Sequence, residues 1–141
     1  MKIKQLMLVM LFLSMTFIVN AQSDLEKINN TLLDYIEGTA NGQPDRLKRA
    51  FHPDFNLYFV ANDTIRVWKG EKYIANVKEG RKSNRIGKVI SVDYEGNAAS
   101  AKIEILMPSR KRIYTDYLLL LKVKDNWKII QKSFTYKNYP K

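Results

Sequence analysis

The sequence has no cysteine and a single histidine in 141 residues. The first absence excludes a disulfide framework, a thiolate–zinc or iron–sulfur centre, and a cysteine nucleophile. The second leaves His52 as the sole imidazole, whereas a histidine-built zinc site needs several. Glycine and proline are sparse, at six and four, which excludes a collagen-like or low-complexity chain. There is no phosphate loop, no Gly-x-Gly-x-x-Gly, no Gly-x-Ser-x-Gly and no His-Glu-x-x-His. Acidic residues are outnumbered 14 to 24, giving a net charge of +10. What remains is 45% hydrophobic and 27% charged, the composition of one folded domain.

Residues 1–21 have the pattern of a secretory signal peptide. Lys2 and Lys4 form a basic start, Leu6 to Val19 is apolar apart from Ser14 and Thr16, and Val19-Asn20-Ala21 offers a cleavage site after Ala21. The apolar run is shorter than the roughly 20 residues that span a bilayer. The expectation is an exported chain, periplasmic or secreted, without a membrane anchor once the leader is removed. The mature chain, 22–141, then has 120 residues and a charge of +8, enough for one core.

Periodicity divides the mature chain into a helical front and a strand-rich back. Ser23 and Glu26 form a capping box, and Leu25, Ile28, Leu32, Tyr35 and Ile36 recur on one helical face, with Gly38 as the expected stop. Pro44 opens a short second helix that Pro53 should end. Phe55–Val60 and Thr64–Trp68 read as a hairpin turning at Asn62-Asp63, and 70–80 as a third helix. Strands follow at 88–94, 99–105, 112–124 and 127–136, broken by turn residues. The stretch 112–124 is the most apolar and is expected at the centre. The order predicts an α+β domain, with helices on one face of a strongly curved antiparallel sheet and a cone-shaped pocket between the layers.

The order of elements resembles the nuclear transport factor 2-like superfamily, the cystatin-like α+β fold. Three stretches are similar to its lumazine-binding branch: Tyr35-Ile36-Glu37-Gly38, Ala50-Phe51-His52-Pro53-Asp54, and Tyr114-Thr115-Asp116-Tyr117-Leu118 followed by Leu120, Lys122, Trp127-Lys128-Ile129 and Lys132. The resemblance implies binding of a small flat molecule of the pteridine kind. The superfamily also contains isomerase-, cyclase- and dehydratase-like enzymes, so fold alone does not decide.

Asp116 is the most informative acid, because a carboxylate inside so apolar a strand needs a partner or a raised pKa. In an enzyme it would be the base, with His52 or a tyrosine beside it; otherwise it is a structural carboxylate. Both sides of its strand are apolar, so alternation leaves its direction open. His52 is a candidate proton carrier or simply the end of a helix. Tyr35, Phe51, Phe55, Trp68, Tyr73 and Tyr114 are the candidate ligand-binding walls, set against an ordinary core role. Lys78, Arg81, Lys82, Arg85 and Lys88 form one basic cluster and Arg110-Lys111-Arg112 a second; either they contact an anionic partner or they are solvated turns. No nucleic-acid motif accompanies them. No metal and no cofactor is expected. The preferred reading is a non-catalytic binding module for a flat or apolar small molecule. A metal-free enzyme is the alternative. A second alternative is a homodimer or interaction module using the outer sheet face around Tyr117–Leu121.

Overall fold

The computed structural model describes residues 22–139, so the expected leader and its expected cleavage after Ala21 lie outside the described residues. Ser23 caps helix α1 (Asp24–Ala40) as its sequence predicts: its Oγ accepts from the Glu26 amide, and Glu26 accepts from the Ser23 amide in return. The helix does not stop at Gly38. A Cβ there would lie 2.8 Å from Leu47 Cδ2, so this glycine lets helix α2 (Pro44–Ala50) approach closely. The turn is made instead by Gly42 at φ +62°. Asp34 on α1 accepts hydrogen bonds from Arg46 and Arg49 and ties the two helices together.

Strand β1 (Phe51–Ala61) begins directly after α2 and runs through Pro53. Proline is tolerated because the register against the neighbouring strand slips between Phe51 and Asn56, a bulge that carries His52-Pro53-Asp54 outward. Asn62 and Asp63, both at positive φ, turn the chain into β2 (Thr64–Lys69). Helix α3 (Gly70–Ala75) is shorter than its pattern suggests, because Asn76 caps it by donating back to the Lys72 carbonyl. Four long strands follow: β3 (Ile86–Glu95), β4 (Ala98–Met107), β5 (Arg112–Val123) and β6 (Asn126–Asn138), with one turn of 3-10 helix at Pro108–Arg110.

The six strands make one sheet in the order β2-β1-β6-β5-β4-β3. Four junctions are antiparallel and one is parallel, where β1 lies beside β6. β5 is interior, as expected. The helices cover one face, and Ile28, Leu32, Leu47, Phe51, Ile103, Leu118, Leu120 and Ile129 form the core between them. On the opposite face Tyr117, Leu119, Leu121 and Val123 are exposed, as are Val60 and Ile65 at the other edge. Among the described residues no helix is long and apolar enough to cross a membrane.

Candidate functional site

Strand alternation decides the direction of Asp116. Leu118 and Leu120, two and four residues on, are buried in the core, while Tyr117 and Leu119 face outward, so Asp116 points under the helices and is fully buried. Two side chains meet it there. The Tyr35 hydroxyl, from α1, donates to Asp116 Oδ2 over 2.5 Å. The Lys132 ammonium, from β6, donates to the same oxygen over 2.9 Å and to the Tyr35 hydroxyl over 2.6 Å. The three groups close a triangle inside the fold.

Lys132 owes its position to a defect in pairing. The β5–β6 register shifts between Leu119 and Leu120, which leaves Ile130 as an extra residue on β6. Trp127 and Ile129 face inward before the bulge, and Lys132 and Phe134 face inward after it. Strict alternation from Trp127 would have turned Lys132 to the outer face. The buried ammonium also lies 4.9 Å from the Tyr35 ring centre, 5.2 Å from Phe134 and 5.6 Å from Tyr73. These faces offset part of the cost of burying its charge. Burial, and next the adjacent Asp116 charge, push the Tyr35 hydroxyl well above the usual tyrosine range, so Tyr35 stays protonated and donates.

The triangle forms one wall of a cavity of ≈ 160 Å³. Trp68, Tyr73, Arg85, Ile105, Arg110 and Tyr114 complete much of the lining. A cavity of about 150 Å³ holds a benzene-sized ring in other proteins. Three buried polar atoms here have no protein partner: Asp116 Oδ1, the Tyr73 hydroxyl and Arg85 Nε. All three belong to residues of this lining. Native proteins seldom leave such groups unpaired. Together they offer one acceptor, one donor, and one hydroxyl that can do either. At the rim, burial pushes the Tyr114 hydroxyl up, but the guanidinium groups of Arg112 and Arg110 outweigh it and hold it below the usual range.

The structure thus brings Asp116, Tyr35, Trp68, Tyr73 and Tyr114 to one cavity. It does not bring His52, Phe51 or Phe55. His52 sits on the outward bulge, 42% exposed, and its Nδ1 accepts from the Asp54 amide. His52 therefore lies within β1, past the end of α2, and is not a partner for Asp116. Phe51 and Phe55 stack at 4.0 Å within the core and line no part of the cavity. Lys132 and Arg85 were not among the candidates for the inner site. Lys132 stood only in the family-like stretch, and Arg85 only in a basic cluster. No group of three or more metal-ligating side chains occurs among the described residues.

Comparison with known proteins agrees with this fold. Residues 23–135 match the family described as "Putative lumazine-binding". A curated relative, "Aldolase FrzH" from Cladobotryum sp, is 26% identical over 122 residues, covering 84% of this chain and 94% of its own. Among solved structures, an NTF2-like protein of unknown function from Shewanella baltica superposes with a TM-score of 0.70 at 22% identity, covering 84% of this chain and 99% of that one. A cystatin-like fold protein from Burkholderia xenovorans gives 0.61 at 14% identity, covering 83% and 96%. The chain belongs to the family described as "Putative lumazine-binding", on an NTF2-like, cystatin-like α+β fold.

Proposed function

We propose that the chain binds a small, flat, polar heterocycle inside the cone, with the edge of the ring toward Asp116, Arg85 and Tyr73. The observation that carries this is the convergence of three unpartnered buried polar atoms on one cavity. A purely structural core would pair them or replace them with apolar groups. A pteridine-dione such as lumazine presents ring N–H donors and carbonyl acceptors along one edge and a flat face to Trp68 and Tyr114, so the family description supports the same chemistry. Lumazine is expected to raise the melting temperature of the wild-type chain. Tyr73→Phe, which keeps the ring and removes the hydroxyl, weakens binding about three- to tenfold. If neither lumazine nor related flat heterocycles stabilise the chain, the reading is wrong.

A second reading is favoured by the same three atoms. One acceptor beside two donors is the arrangement needed to take a proton from carbon next to a carbonyl and to hold the resulting enolate oxygen. Asp116 Oδ1 is the base in this reading. Arg85 and Tyr73 are the donors, and Tyr35 and Lys132 fix the other carboxylate oxygen. Enolate chemistry is also what a relative named as an aldolase would use. Small cyclic ketones incubated with the protein in D2O should then exchange their α-protons faster than in buffer, as followed by NMR. Exchange no faster than in buffer, across a panel of such ketones, removes this reading and leaves the binding one.

A further inference from the structure

The two basic clusters, far apart in sequence, converge at the mouth of the cone. Lys78, Arg81, Lys82 and Arg85 come from the segment after α3, and Arg110 from the turn after β4. They line a basin of ≈ 610 Å³ that shares Trp68, Tyr73, Arg85 and Arg110 with the inner cavity. Among the described residues no carboxylate lines this basin. Glu79, in the same segment, lines a different groove with Asn41–Asp45. Asp116 is the single acid of the inner cavity, and Lys132 already opposes it.

These five cations differ from the ion-paired cations of the fold. Lys27, Arg46, Lys48, Arg49 and Lys122 each meet an aspartate, whereas none of the five makes an ion pair among the described residues. Nor do they sit on a loose loop. The Gly80 amide donates to the Gly42 carbonyl over 2.8 Å, and the Ser83 amide donates to the Ala40 carbonyl over 2.8 Å. The Ser83 hydroxyl donates to the Thr39 carbonyl at 3.2 Å. The segment is thereby fastened to the carbonyl end of α1, which is the favourable end for positive charge. Like charges on one basin repel, and the fold keeps them there without an ion-pair partner among the described residues.

We propose that the ligand of the cone carries an oxyanion, a carboxylate or a phosphate, which is held at the mouth between Arg85 and Arg110 while its uncharged ring reaches inward to Tyr73 and Asp116. This rests on the reading of the cone as a ligand site. Arg85 links the two halves, since it lines both the basin and the inner cavity. Arginine suits the task because its planar fork grips both oxygens of a carboxylate or phosphate. The remaining lysines and Arg81 raise the local potential and draw the anion in.

The test uses matched pairs on two scaffolds, read by calorimetry and thermal shift: lumazine against its 6-carboxylate, and benzyl alcohol and benzamide against phenyl phosphate and benzoate. The charged member of each pair is expected to bind about tenfold more tightly at low salt. That advantage shrinks as salt rises. The double substitution Arg85→Gln/Arg110→Gln, checked for folding by its melting curve, reduces the advantage to about twofold. A stronger response to phenyl phosphate than to benzoate identifies the oxyanion as phosphate, and the reverse as carboxylate. Equal, salt-insensitive affinity within all three pairs overturns the oxyanion while leaving the cone reading intact. If neither pteridine binds but the charged phenyl compounds do, with the same sensitivity to salt and to the double substitution, the pteridine reading falls and the oxyanion stands. Silence from every compound overturns both.

Discussion

Lys132→Met lowers the stability of the fold by about 3–5 kcal/mol, because it leaves Asp116 as a buried carboxylate with only the Tyr35 hydroxyl for a partner. For a chain of this size that is a fall in melting temperature on the order of 10 °C or more. Removing the acid instead, in Asp116→Asn, strands a buried ammonium and is also costly. The diagnostic is the double substitution. With both members of the pair gone, neither charge is left buried without its partner, and the loss is expected to be smaller than the sum of the singles by at least about 1.5 kcal/mol. Strict additivity in chemical denaturation would mean that the two groups do not act as a pair. The variant Tyr35→Phe sits between these extremes: it removes one donor to Asp116 but leaves the ion pair whole.

Gly42→Ala is the second large effect, at about 2–5 kcal/mol. Its backbone is at φ +62°, where an ordinary residue costs about 1–2 kcal/mol. In addition, a Cβ would lie 2.4 Å from the Lys78 carbonyl oxygen, 2.5 Å from the Arg81 amide nitrogen and 2.7 Å from the Arg81 carbonyl oxygen. All three are main-chain atoms, so relief requires the basic segment to move, at a further cost of about 1–3 kcal/mol. Gly80→Ala is the control. It has φ +71° but nothing within 4 Å of the new carbon, so only the backbone cost applies. The measurement is thermal denaturation of both variants, with hydrogen exchange at the Gly80 and Ser83 amides. Gly42→Ala should speed exchange at both. If it costs no more than Gly80→Ala, the segment is not clamped against α1 as described.

Much of the frame is legible from residue order. The capping box, the hairpin turn at Asn62-Asp63, the alternation of β4 and the apolar β5 are local signals, and each forms where its residues place it. The site is less legible, and the reasons are physical. Asp116 can be assigned to its strand but not to a face, since both faces of β5 are apolar; one packs into the core and the other is an exposed sheet surface. Lys132 is hidden by a one-residue bulge at Ile130, which inverts the alternation that any pattern would extrapolate. Gly38 looks like a stop because glycine often ends helices, but the need here is room for Leu47. The basic clusters look like solvated turns because nothing local joins the chain after α3 to the turn after β4. Of those residues Lys88, Lys111 and Arg112 stay outside the mouth, and Lys78, Arg81, Lys82, Arg85 and Arg110 line it.

The parallel contact between β1 and β6 has a consequence for how the molecule comes into being. During synthesis, residues 51–61 emerge early and residues 126–138 last, yet they end as neighbours. Until the final strand arrives, β1 has only its hairpin partner β2, and the sheet remains in two unjoined pieces. Contacts so distant along the chain slow folding, since a large loop must close before they yield any stabilisation. Asp116 therefore passes its nascent life in water, as an ordinary carboxylate on an unfinished strand. The same late event that unites the two pieces of sheet delivers Lys132 beside it.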